Sequence, residues 1–242
     1  MKAKNFIFFI GVMCVSMQFI QAQKAVNQFN SNGDKTGKWE KKYANGNYRY
    51  KGQFLNGKEI GIFYFYSEFN NSTPYIIKEF NNQNHRCKVQ FFTKQGVLES
   101  KGEMNKRDRV GQWLYFAPDG KRVVLEENYK AGKLSGAVKV YYPDGSLTEE
   151  IHYLNGMMHG NSIRYTDQGK LVSKIPYEQN KMHGKIFYYD KNGIIRETGH
   201  YDHGKRVGRW EFYIDGVLTG VEEPNKKKSR DSIPRRKKAV EE

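Results

Sequence analysis

Apolar and polar residues alternate along this chain with the two-residue period of a half-buried strand, and the alternation restarts at evenly spaced glycines. Gly37, Gly61, Gly111, Gly136, Gly160, Gly184 and Gly208 each open such a run. The last four intervals are 25, 24, 24 and 24 residues. The gap from Gly61 to Gly111 is two units long, with Cys87 where a glycine is missing. Two and four residues past the opening position stand Trp39, Phe63 and Phe65, Trp113 and Tyr115, Val138 and Val140, Ile186 and Tyr188, and Trp210 and Phe212. A period between about 20 and 50 residues is the mark of a stacked array. Seven full or nearly full units and a truncated eighth are expected.

Each unit carries two turns. Nine residues after the opening glycine come Asn45-Gly46, Gln95-Gly96, Asp119-Gly120, Asp144-Gly145, Gln168-Gly169 and Asn192-Gly193, with Asp215-Gly216 in the shorter last unit. About eleven residues further on come Asn56-Gly57, Ala131-Gly132, Asn155-Gly156, Asn180-Lys181 and His203-Gly204. Such pairs supply the positive φ angles of hairpin turns. The fold class expected is all-β: an elongated single-layer antiparallel meander of about seven to eight 24-residue hairpins, one face packed and the other not. Asn70-Asn71-Ser72-Thr73-Pro74 replaces the turn of unit two, which leaves the register of residues 61–110 open.

The motif Gly111-Gln112-Trp113-Leu114-Tyr115-Phe116, its counterpart Gly208-Arg209-Trp210-Glu211-Phe212-Tyr213 and the junction Tyr153-Leu154-Asn155-Gly156-Met157-Met158-His159-Gly160 resemble the MORN-repeat variant. Bacterial members are often labelled YwqK-type antitoxins. The resemblance covers residues 37 to about 218. It implies a non-enzymatic interaction or scaffolding module, with an antitoxin or immunity-type binding protein as a weaker alternative.

Composition supports strands. The chain has 35 aromatics against 9 Leu and 8 Ala, the opposite of a helical bundle. Lys and Arg outnumber Asp and Glu by 15, which keeps anionic partners in play. Residues 1–22 have the form of a secretory signal peptide: Lys2 and Lys4, an apolar stretch from Phe6 to Met17, and Ala22 at the expected cut. Export to the periplasm, cell envelope or medium follows, and with it a nucleic-acid partner is disfavoured. Residues 23–36 form a lead-in, 37–221 the array and 222–242 a basic disordered tail. Lys226, Lys227, Lys228, Arg230, Arg235, Arg236, Lys237 and Lys238 give that tail its charge. It reads equally as a solvated charge run or as an anchor to an anionic membrane or cell-surface polymer. Removing residues 1–22 leaves Cys87 without a partner for a disulfide.

No catalytic, cofactor or metal site is expected. His159 and His183 share a column, but one unit separates them by two strands, about 9–10 Å, which strains sharing of one zinc. His85, His152, His200 and His203 show no ligand spacing. Glu126-Glu127 and Glu149-Glu150 are strand neighbours, so their carboxylates point to opposite faces. What recurs instead is an aromatic five residues past the opening position: Tyr66, Phe116, Tyr141, Tyr165, Tyr189 and Tyr213. Parity puts it on the face opposite Trp113 and Trp210. Two roles compete for this column: a self-packing ladder that stiffens the sheet, or a surface for an unidentified protein or glycan.

Overall fold

The computed structural model describes residues 25–224 except 71, 82, 83 and 85. The expected signal segment and most of the basic tail lie outside the described residues. Among the described residues nineteen strands make one antiparallel sheet in which strands pair in chain order, except that β9 pairs with both β10 and β11 and β14 with both β15 and β16. The first half comprises β1 (Gln28–Phe29), β2 (Lys35–Lys42), β3 (Tyr48–Leu55), β4 (Lys58–Phe65), β5 (Ile76–Phe80), β6 (Arg86–Phe92), β7 (Leu98–Asn105), β8 (Asp108–Phe116) and β9 (Val123–Lys130). Then follow β10 (Lys133–Leu134), β11 (Gly136–Tyr141), β12 (Leu147–Leu154), β13 (Met157–Tyr165) and β14 (Leu171–Glu178). The last are β15 (Lys181–Met182), β16 (Gly184–Tyr189), β17 (Ile195–Asp202), β18 (Lys205–Ile214) and β19 (Val217–Glu222). The expected one-layer hairpin meander is what forms, with no helix among the described residues.

The register through units two and three is regular. Opening glycines pair with the aromatic that ends the outgoing strand, as in Gly37 with Phe54 and Gly160 with Tyr177. Gly61 pairs with Phe80 across a longer loop, and Cys87 occupies the glycine slot opposite Met104. Cys87 is buried, and burial pushes its thiol above the ordinary value.

The two turns of a unit differ in chemistry, which the dipeptides alone do not reveal. At Asn45-Gly46 only the glycine has positive φ, at 85°, and Tyr43 exchanges hydrogen bonds with Asn47 and Gly46. This is a three-residue loop ending in a left-handed glycine. At Asn56-Gly57 both residues are left-handed, at 49° and 76°, and Leu55 pairs directly with Lys58. That is a two-residue type I′ turn. Asp215-Gly216 belongs to this second kind, since both φ angles are positive and Ile214 pairs with Val217. The turn assigned to Asn180-Lys181 sits one residue earlier, on Gln179 and Asn180, because Lys181 pairs with Glu178. Four of the type I′ turns are pinned to the chain ahead of them in the same way: Gly57 N–H donates to the Lys35 carbonyl, Gly132 to Arg109, Gly156 to Leu134 and Gly204 to Met182.

One face holds the core. The fully buried side chains Trp113, Trp210, Phe63, Ile186 and Val89 all stand two residues past an opening position. Their sizes are matched to the strand before them. A Cβ on Gly102 would lie 2.4 Å from the Trp113 indole, on Gly199 2.3 Å from Trp210 and on Gly52 2.4 Å from the Phe63 ring. Where the column holds the small Ser162, its neighbours on both sides are Ile151 and Ile175. Large rings lie over glycine and a small residue is flanked by isoleucines, so the layer keeps an even thickness.

A cation caps each tryptophan. Lys35, Arg109 and Arg206, each four residues earlier on the same face, sit 4.6, 4.3 and 3.9 Å from the ring centroids of Trp39, Trp113 and Trp210. Tyr129 and Tyr201 meet the Trp113 and Trp210 indoles edge-on, at 6.3 and 5.2 Å. Trp113→Ala should cost about 3–5 kcal/mol, and Gly102→Ile about 1–3 kcal/mol from overpacking. The double change Gly102→Ile with Trp113→Ser recreates the Ile151–Ser162 pairing. It should be more stable than the sum of the two single losses by at least about 1 kcal/mol in a urea double-mutant cycle. Strict additivity would refute the size-matching account.

Candidate functional site

Five of the six members of the aromatic column lie at a bulge beside the turn of their unit. Register shifts fall between Tyr115 and Phe116, Val140 and Tyr141, Arg164 and Tyr165, Tyr188 and Tyr189, and Phe212 and Tyr213. Just past the shift each aromatic meets an aliphatic at or near the start of the next strand: Phe116 with Val123, Tyr141 with Leu147, Tyr165 with Leu171, Tyr189 with Ile195 and Tyr213 with Leu218. Tyr66 follows β4 at the long loop and packs against Tyr48 at 6.3 Å between centroids. All six are half-buried. The column has a further member, Phe92, which pairs with Leu98 in the same way. Counting from glycines misses it, because its unit opens on Cys87.

The column alternates with charge. Phe187 stacks on Tyr189 at 6.4 Å and lies under Lys185 at 5.2 Å, while Lys101 reaches the Phe116 ring at 5.4 Å. Tyr213 donates to Glu211, which also pairs with Arg209. Partial burial and a hydrogen bond to Glu126 push the Tyr141 phenol up to about 12. No ring contact joins successive members of the column among the described residues. Tyr66, Phe116 and Tyr141 instead meet side chains of the preceding unit: Tyr48, Lys101 and Glu126. On the same face Ile62, Ile77 and Leu114, with Lys88 and Lys101, line a hollow of about 370 Å³.

Adjacent carboxylates part as parity requires. Glu127, on the tryptophan face, accepts from Tyr115 at 2.5 Å and Tyr129 at 2.8 Å. Glu126, on the other face, accepts from Gln112 at 3.1 Å. Glu149 pairs with Arg164 and Glu150 with Lys139. Neither couple converges on a common point. His85 lies outside the described residues. His159 and His183 stay apart, but His183 meets His203, with ring centroids 4.6 Å apart. Their sequence separation of 20 residues is not the repeat period, so a search by columns overlooks the pair. The basic residues Lys226 to Lys238 lie outside the described residues.

Residues 35–56, 134–155, 158–179 and 182–203 match the family model described as the MORN repeat variant. Each match runs from the residues ahead of an opening glycine, or from the strand before it, through to a type I′ turn. No curated protein matches the chain. The unmatched stretch between the first two matches holds the long loop of unit two and the cysteine-opened unit three, yet its strands pair without interruption. Four units of the chain therefore carry the MORN repeat variant.

Proposed function

We propose that the protein is an exported, non-enzymatic scaffold of the cell envelope that holds another protein or a glycan along the face opposite Trp113 and Trp210. MORN repeats are in general protein- or membrane-binding modules. The observation that carries the reading is the half-exposed aromatic column, from Tyr66 through Phe92 to Tyr213, in which every ring but Tyr66 stands at a bulge. Rigid amphipathic rings offer large contact area at little entropic cost. The form of residues 1–22 supports export.

An electrostatic adaptor to anionic lipid or cell-surface polymer is the second reading, favoured by the net charge of +15. The two separate by salt response, since attraction between exposed charges fades as the Debye length falls below about 10 Å. An immunity-type binding protein would use the same aromatic face with a secreted toxin as its partner.

Tyr165→Ser combined with Tyr189→Ser should weaken capture of the partner from envelope fractions about tenfold or more. It should leave the melting temperature within about 2 °C of the parent, because exposed edges contribute little to the fold. A pair that melts as early as Trp113→Ala would make the column purely structural. For export, terminal sequencing of the native product should find a start at or beside Gln23. Intact Met1 in the cytosol would overturn that part.

A further inference from the structure

The rim of type I′ turns between the sixth and seventh units carries a set of side chains that no other pair of units repeats. Glu178 ends β14, His183 sits at the break between β15 and β16, and His203 leads the turn between β17 and β18. Gly204 N–H donates to the Met182 carbonyl at 2.8 Å, which lays that turn against the break. One ligand atom from each of Glu178, His183 and His203 then lies within 4.8 Å of the other two. His183 Nε2 is 3.6 Å from Glu178 Oε2. Its Nδ1 is shut off from water and makes no hydrogen bond, with Asp202 Oδ1 at 3.4 Å. Asp202 Oδ1 is 2.6 Å from His203 Nδ1, and this contact is the main reason the Asp202 carboxyl is held below the usual carboxylate range.

We propose that Glu178, His183 and His203 bind one divalent cation of borderline softness, of which Zn²⁺ is the type. Two imidazoles and a carboxylate are the donor set such ions take, with nitrogens at about 2.0–2.1 Å and space for water in the fourth position. Three ligands of one zinc sit about 3.3 Å apart, so the side chains close by roughly an ångström or more. Asp202 is a positioning residue: a carboxylate on Nδ1–H of His203 fixes the tautomer and turns the Nε2 lone pair to the metal. The array supplies its own controls. One unit earlier the same places hold Leu154, His159 and Gln179, and two units earlier Lys130, Ser135 and Asn155. Neither set can chelate.

The test is calorimetric titration of the full chain with Zn²⁺, and with Co²⁺ followed by its visible ligand-field absorption. One equivalent should bind, with the intense absorption of a four-coordinate site. His183→Gln and His203→Gln should each weaken binding about 100-fold, Glu178→Gln by about tenfold or more, and Asp202→Asn by about 10-fold. His159→Gln should change nothing. Melting in the presence of a chelator should be alike for all variants, because these side chains are partly exposed and outside the core. No binding below millimolar zinc, or affinity retained within threefold in either histidine variant, would overturn the site. Failure here leaves the aromatic column untouched, since the two lie on different residues.

Discussion

A single-layer sheet has one dry face, and everything else in this molecule follows from the need to make that face thick enough. Among the described residues no second sheet covers it, so each large ring must lie flat on the strand before it. Gly52, Gly102 and Gly199 exist to receive Phe63, Trp113 and Trp210, since any Cβ there would stand about 2.4 Å or less from ring atoms. The open side of each indole is closed by a guanidinium or ammonium from its own strand. Tryptophan lost from such a seat costs several kcal/mol, whereas an exposed ion pair on the opposite face contributes about 0–1 kcal/mol. Stability therefore resides almost wholly on one side.

The turns divide the edges of the sheet in the same way. Type I′ turns join their strands directly through two left-handed residues, and a backbone bond ties several of them to the unit before. Each three-residue loop has a bulge beside it, and the bulge is where most of the second aromatic column stands. Its regular recurrence is thus a consequence of turn geometry, with the residue type free to vary between Tyr and Phe.

The architecture was legible in the chain because its signals are local and periodic. The 24-residue spacing, the turn pairs and the parity of Trp113 against Phe116 each depend on counting within a unit. Even Cys87 was placed correctly, since the period survives its substitution. What stayed hidden depends on register between units. The match of Gly102 to Trp113 spans 11 residues, and the meeting of His183 with His203 spans 20; neither is a multiple of the repeat. Phe92 was lost for the opposite reason, its unit having no glycine from which to count. The two turn types were merged because Asn-Gly serves both, and only the length of the loop around it decides between them.

The family model skips the stretch between residues 56 and 134, the unit opened by Gly111 and Trp113 included, while the sheet does not. Strand pairing is made by backbone groups and tolerates any side chain that fits the layer thickness, so the long loop after β4 and the Cys87 opening cost the sheet no register. In an array held by nearest-neighbour contacts, a unit can depart from consensus as long as its two neighbours still find a surface of the right height. Freedom to vary is therefore greatest on the open face and along the turn rims, where no ring has to be seated. The mixed aromatic and charged column and the Glu178–His183–His203 cluster both lie there, in the parts of the repeat that stability does not claim.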